Sequence, residues 1–307
     1  MRQYLKTEMF GFINLNKPAG FTSHDCVAKL RKLLNTRKVG HGGTLDPAAT
    51  GVLPIAIGKA TRLLQFLPES KAYRARIRLG VTTTTDDLEG EVVTTVAVVN
   101  LEADRIINSL NNFIGTIEQV PPIYSAIKKD GKKLYELARL GEQIKVEPRT
   151  VKITKIELIN VDRSNDEIEV DINCGPGTYI RAIARDLGEQ LGVGGTLASL
   201  VRTQSCGMQL NDSITFEQIE THLQQQTFAL IEPRLVLNHL DAVYLSDRDS
   251  QLWCQGQLID LDKAQTDSDF LKHDSYLITY KGNTFLGMSI LYERNNVLKI
   301  KPKIVCV

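Results

Sequence analysis

The sequence predicts an α+β protein that ends in a small all-β module. Three observations point there. Period-two strands and period-3.6 helices are interspersed over roughly the first 240 residues. The segments Val151 to Val161 and Glu167 to Asn173 alternate cleanly and pair as antiparallel strands. From about Tyr244 the texture changes to short strands separated by turn signals. This sets the expected domains at 1–243 and 244–307, the second barrel-like by its strand spacing. A chain of 307 residues, 42% hydrophobic and 24% charged, can bury one large core and a smaller one.

Taken in order, Gly11 to Pro18 alternates apolar and polar residues and reads as a strand. Thr22 and Ser23 offer helix N-caps, and Val27, Leu30, Leu33 and Leu34 form the helical stripe that follows. The other face of that helix carries Lys29, Arg31 and Lys32, with Arg37 and Lys38 just beyond. A loop from Gly40 to Gly51 leads into the apolar run Val52 to Ile57, and a second amphipathic helix runs through Ala60, Leu63, Leu64 and Leu67. In the next strand, Lys71 to Gly80, Tyr73, Ile77 and Leu79 share one face. Arg74, Arg76 and Arg78 share the other, where three cations are costly to bury and suit phosphates. Tyr73 fits either a core aromatic with its hydroxyl at the rim or a ligand contact.

Thr82 to Gly90, with Asp86, Asp87 and Glu89, reads as a solvated acidic turn without the spacing of a calcium loop. Glu91 to Val99 is expected as a strand and Leu101 to Ile114 as a helix. Residues 121–150 break the pattern with Pro121-Pro122 and a run of lysines, and read as a protruding basic excursion. Gly175-Pro176-Gly177 then opens a helix with Arg181 in its first turns. An arginine there opposes the helix dipole, so it is either held by a carboxylate or simply a surface residue. Leu197 to Gln204 reads as a strand and Ile214 to His222 as a helix. Tyr276 to Tyr280, Thr284 to Met288 and Val297 to Val305 are the strands of the C-terminal module.

Net charge is +1, but it is unevenly spread. Residues 1–80 carry 14 Lys/Arg against 4 Asp/Glu, while residues 81–240 carry 15 against 23. Such asymmetry fits a polyanionic partner or a solvated basic face. The five cysteines are odd in number and form no C-x-x-C, which argues against a disulfide framework or a zinc site and fits a reducing cytoplasm. No stretch approaches the ~20 apolar residues of a membrane helix, and the first eight residues lack the apolar core of a signal peptide. There is no Walker A motif, no dinucleotide fingerprint and no His/Cys metal spacing, so the chemistry is expected to need neither metal nor cofactor.

The loop Gly40-His41-Gly42-Gly43-Thr44-Leu45-Asp46-Pro47-Ala48-Ala49-Thr50-Gly51 is the densest concentration of special residues. Its glycines allow sharp bends and close approach to a ligand. Pro47 holds Asp46 in extended or turn backbone. Asp-Pro also starts ordinary turns in which the carboxylate caps its own backbone, and the loop alone does not decide between these.

Gly11 to Pro18, the loop from His41 to Pro54, Lys71-Ala72-Tyr73, Gln119 to Ala126 and Gly177-Thr178-Tyr179-Ile180-Arg181 together resemble the TruB family of tRNA pseudouridine synthases. The motifs run in order over about residues 10–205, and the C-terminal module more weakly resembles a PUA domain. The resemblance implies a mixed, largely antiparallel sheet flanked by helices. It implies that uridine 55 in the T loop of tRNA becomes pseudouridine without a cofactor, in a cytoplasmic monomer that also touches the acceptor stem. The same fold could serve a non-catalytic RNA-binding or tRNA-folding protein.

The resemblance assigns Asp46 as the nucleophile, and carboxylates are established nucleophiles at anomeric carbons; attack on the uracil ring is the competing route, and the sequence does not choose between them. It assigns Arg181 as the partner of that carboxylate, which a planar guanidinium can hold by two hydrogen bonds. Tyr73 is the active-site tyrosine; a phenol with a pKa near ~10 is a poor base unless a cation lowers it, so stacking on the uracil is its expected role. His41 meets the RNA where the base is flipped out, Leu200 lies beside the flipped base, and Tyr179 and Arg74 join the substrate contacts. Lys17 is grouped with them and expected to support the site structurally. The excursion at 121–150 matches a segment that closes on RNA.

Overall fold

The computed structural model describes residues 9–99, 102–125, 127–129, 131–140, 146–266, 275–294 and 297–307. The first elements are β1 (Gly11–Lys17), α1 (Ser23–Leu33), β2 (Val39–His41) and β3 (Thr50–Ile57). Thr22 caps α1 as the sequence predicts, in a reciprocal box with Asp25. The segment Gly58–Phe66 is a 3-10 helix and not the α-helix expected, though it buries the predicted Ala60 and Leu63. There the Thr61 hydroxyl donates to Gly58 O at 2.9 Å, inside the turn.

The chain continues through β4 (Lys71–Leu79), β5 (Val81–Thr83), β6 (Val92–Thr95), α2 (Ala103–Asn111) and β7 (Gly115–Gln119). Then come a short hairpin, β8 (Lys128–Lys129) and β9 (Lys132–Lys133), and α3 (Leu134–Arg139). The excursion is not purely surface, because Leu134 and Leu137 are buried. β10 (Arg149–Asp162), β11 (Glu167–Cys174), α4 (Ile180–Leu191), β12 (Gly195–Ser205) and β13 (Met208–Gln209) complete the main sheet. Its order is β1-β3-β12-β4-β11-β10-β7, with β2 on β3 and β13 on β12. Every pairing is antiparallel except β12 with β3, so the sheet is mixed and largely antiparallel. Helices α2 and α4 cover one face, where Tyr73, Ile77, Ile106, Leu110, Ile183, Leu187 and Leu200 share a core.

The opposite face of β4 corrects an expectation. Arg74, Arg76 and Arg78 are not a free cationic stripe. The antiparallel register sets them against Asp171, Glu169 and Glu167 of β11. Arg74 grips Asp171 with two bonds of 2.8 Å, Arg78 reaches Glu167 at 2.5 Å and Arg76 stands 3.7 Å from Glu169. The more exposed Arg74 and Arg76 pairs contribute at most about 1 kcal/mol each, while Arg78–Glu167 is partly buried, and together the three fix the register of β4 on β11.

After α5 (Phe216–Gln224) and α6 (Pro233–Val236), a second, curled sheet is built from β14 (Ala242–Tyr244), β15 (Ile259–Asp260), β16 (Gln265–Thr266), β17 (Tyr276–Lys281), β18 (Thr284–Arg294) and β19 (Val297–Val305). The order is β15-β19-β18-β17-β14-β16, and α7 (Asp247–Cys254) packs the buried Trp253 against it. The Trp253 indole N–H donates to Ser289 at 2.9 Å, which satisfies its one polar atom. Ile278, Met288 and Ile304 of this sheet share an apolar cluster with Phe12, Val52 and Leu63. Among the described residues no helix is long and apolar enough to cross a membrane.

Candidate active site

The Asp46 loop joins β2 to β3 and is fastened from below. Arg202 of β12 is fully buried, and its guanidinium is spent on three backbone carbonyls: Val52 at 2.7 Å, Thr44 at 3.1 Å and Gly43 at 3.1 Å. Gly51 adopts φ +102°, and a Cβ there would sit 2.3 Å from Arg202 O, so only glycine lets the strand pass this close. Lys17 is also fully buried and donates to the carbonyls of Pro18, Phe21 and Pro47 at 2.7–3.0 Å. Its ammonium therefore supports the loop from behind and does not face the open side. Ser23 accepts the Leu45 N–H at 2.9 Å, tying the loop to the first turn of α1.

On this footing the Asp46 side chain stands 42% exposed, with Oδ2 3.1 Å from Nε of Arg181. The Arg181 side chain is only 8% exposed. The expected two-bond grip on Asp46 is replaced by a shared one. Nη1 donates to Thr85 O at 3.2 Å and stands 3.4 Å from Asp87, while Nη2 donates to Tyr124 O at 3.0 Å. The guanidinium is thus fixed on three sides and offers its remaining edge to Asp46.

This also revises the acidic turn. Asp87 has a side chain only 17% exposed, and Asp86 pairs with Arg185 at 2.9 Å. The turn is pinned to β12 by Leu197 N–H to Asp86 O at 2.9 Å and Leu88 N–H to Leu197 O at 3.1 Å. Burial pushes the Asp86 carboxyl above its ordinary range, against the pull of Arg185. Asp87, Thr85, Tyr124 and Arg202 are the neighbours that sequence reasoning missed. Arg181 carried the available signal: a cation at a helix start is favoured by carboxylate partners, but nothing in the sequence singles out Asp87 as one.

Tyr73 lies on β4 directly opposite Arg202 of β12, buried in the same cluster as Leu45, Ala49 and Leu200. Burial raises its phenol above the ordinary value, the Arg202 charge pulling the other way. Leu200 faces Ala75 one step along. Tyr179 immediately precedes α4, its N–H donating to Gln119 at 2.8 Å and its carbonyl accepting from Gln119 at 3.1 Å. His41 ends β2 and meets His24 of α1 edge-on, ring centroids 5.4 Å apart. Burial, then the charges of His24 and Arg202, hold His41 below the usual imidazole range. Asp46 thus has Arg181 in contact and Tyr73 and Tyr179 within electrostatic range, Leu200 shares the Tyr73 cluster, and His41 lies at the start of the same loop beside His24; Lys17 lies behind the loop and Arg74 is on the far face of β4 with Asp171.

A half-open carboxylate held by a buried guanidinium, on a loop whose Leu45 and Ala49 share a core with Tyr73 and Leu200, is the candidate site. Residues 31–180 match the TruB family pseudouridylate synthase N-terminal domain, and residues 181–243 match the tRNA pseudouridylate synthase B C-terminal domain. A tRNA pseudouridine synthase B of Microcystis aeruginosa is 51% identical, covering 97% of this chain and 99% of its own. That of Gloeothece citriformis is 58% identical over 82% of each chain. The crystal structure of a Cbf5-Nop10-Gar1 complex contains a chain with a TM-score of 0.74 and 26% identity, covering 96% of this chain and 84% of that one. The chain belongs to the TruB family. Its reaction is the isomerisation of uridine in tRNA to pseudouridine.

Proposed function

We propose that the target is uridine 55 of the T loop and that Asp46 is the nucleophile that takes it. The isomerisation breaks the bond from the ribose to N1 of uracil and makes one to C5. A proton leaves C5 and one is gained at N1, so composition does not change. The observation that carries this assignment is the Asp46 carboxylate, accessible yet anchored 3.1 Å from a buried Arg181. Fixed aim at a reacting centre is where such positioning contributes most.

The uridine leaves its stack, at a cost of a few kcal/mol that contacts with the flipped base offset. Tyr73, a phenol that burial keeps further toward its neutral form, stacks on the uracil while Leu200 closes the other side. Tyr179 lines the mouth next to Arg181. His41, backed by His24, occupies the place vacated by the base. Lys17 and Arg202 keep the loop in register from below. Arg74, committed to Asp171, contacts RNA only as part of a neutral ladder, so phosphate contact falls mainly to the basic side of α1.

Residues 1–243 form the catalytic domain, with 121–150 closing on the RNA. Residues 244–307 form a PUA-like module that meets the acceptor region. The protein works as a cytoplasmic monomer without metal or cofactor. The test is incubation with unmodified T-arm RNA followed by mapping of pseudouridine. Conversion confined to the position-55 uridine supports the proposal, and conversion elsewhere or none overturns it.

A further inference from the structure

The cations of β4 are not all paired. Arg74, Arg76 and Arg78 each face a carboxylate of β11. Lys71, the first residue of the strand, instead faces Cys174 of β11 and Ser205 of β12. Among the described residues its ammonium has neither a hydrogen bond nor an ion pair, although the side chain is half-buried. It shares the strand face of Tyr73, two residues away. It also reaches the Asp46 loop: a Cβ built on Gly43 would lie 3.7 Å from Lys71 Cε and 3.8 Å from Nζ. The same point lies 3.8 Å from a terminal nitrogen of Arg202.

Two cations therefore converge on Gly43, and one is already used on backbone carbonyls. Burial first, and the Arg202 charge next, press the Lys71 ammonium below its ordinary value. Glu69, an exposed carboxylate, opposes this only weakly. A desolvated cation beside another cation is unfavourable in the free protein and is relieved by an arriving anion. Two residues of strand span about 6.6 Å, the reach of a nucleotide's sugar and phosphate from its base.

We propose that Lys71 is a phosphate-binding point, taking a backbone phosphate of the RNA beside the uridine held at Tyr73 and Asp46; this builds on the roles given above to those two residues. The RNA then fills the one gap in the charge pairing of β4.

The test compares binding of unmodified T-arm RNA with that of RNAs carrying a neutral methylphosphonate at the linkage 5′ or 3′ of the target uridine. Wild type, Lys71→Ala and Lys71→Arg are measured against each. Lys71→Ala is expected to weaken binding of ordinary RNA about tenfold, as loss of a charge-assisted contact should. One neutral linkage should weaken wild type to a similar degree and cost Lys71→Ala nothing more. Lys71→Arg should restore most of the affinity. The salt slope should fall by about 0.7 in Lys71→Ala. Losses that multiply, or no loss in wild type at either linkage, overturn the proposal. The neutral linkage on wild type decides the matter even if Lys71→Ala folds poorly. Pseudouridine formation by wild type and by Asp46→Asn is scored separately, so failure of the Asp46 assignment shows as product from Asp46→Asn, whatever the binding cycle gives.

Discussion

Arg202→Lys keeps the charge and most of the length but removes the fork. In the structure that fork spans Val52 O, Thr44 O and Gly43 O at 2.7, 3.1 and 3.1 Å. An ammonium presents its donors from a single point and cannot reach all three carbonyls. At about 1–3 kcal/mol for a buried carbonyl left without a donor, and less for the partly open ones, the loss is roughly 2–4 kcal/mol. Thermal melting should fall by roughly 3–8 °C at about 1.5–2 °C per kcal/mol for a chain of this size. Thr44 lies two residues before Asp46, so slack there also moves the carboxylate. A displacement of an ångström costs on the order of a hundredfold in rate, and kcat should fall by about that factor while RNA affinity changes by less than about threefold. Melting curves and single-turnover kinetics read the two effects separately. A variant with wild-type kcat refutes the aiming role, whatever its melting temperature.

Other outcomes follow from the same geometry. Arg181→Lys cannot serve Asp46, Asp87, Thr85 O and Tyr124 O together, and should lose about a hundredfold in kcat with binding retained, read by single-turnover pseudouridine formation. Asp87→Asn keeps shape but removes the charge beside Arg181; a contact worth about 1.5–3 kcal/mol converts to roughly a 10- to 100-fold slower rate. His41 titrates below the usual imidazole range in the folded protein, so the unfolded chain takes up the proton first as pH falls. Its contribution to stability is then complete above about pH 6.5 and is lost below it; urea titrations from pH 8 to 5 should show a shallower decline for His41→Gln than for wild type.

What was legible in the sequence was largely local. The Asp46 loop declared itself by glycines, a proline and a carboxylate within twelve residues. Arg181 declared itself by standing where a helix dipole disfavours a cation, and the structure supplies the carboxylate partners. The Thr22 cap and the strands of the second sheet followed from short-range pattern. What escaped was pairing across distance. Asp87 meets a partner that arrives with α4 more than ninety residues later, so its turn looked solvated. Arg74, Arg76 and Arg78 looked like a phosphate surface because Glu167, Glu169 and Asp171 lie on another strand. Their alternation was visible in the sequence and complements the arginines, but a regional charge count separates the two. Arg202 looked like one more strand residue, since nothing local says that its guanidinium is buried under a loop.

The most direct measurement is Asp46→Asn, assayed for T-arm RNA affinity and for pseudouridine formation in one preparation. The amide keeps the size of the carboxylate and removes its nucleophilic oxygen. Affinity within about threefold of wild type, with no pseudouridine formed, is the predicted result. Any sustained isomerisation by this variant would contradict the role given to Asp46.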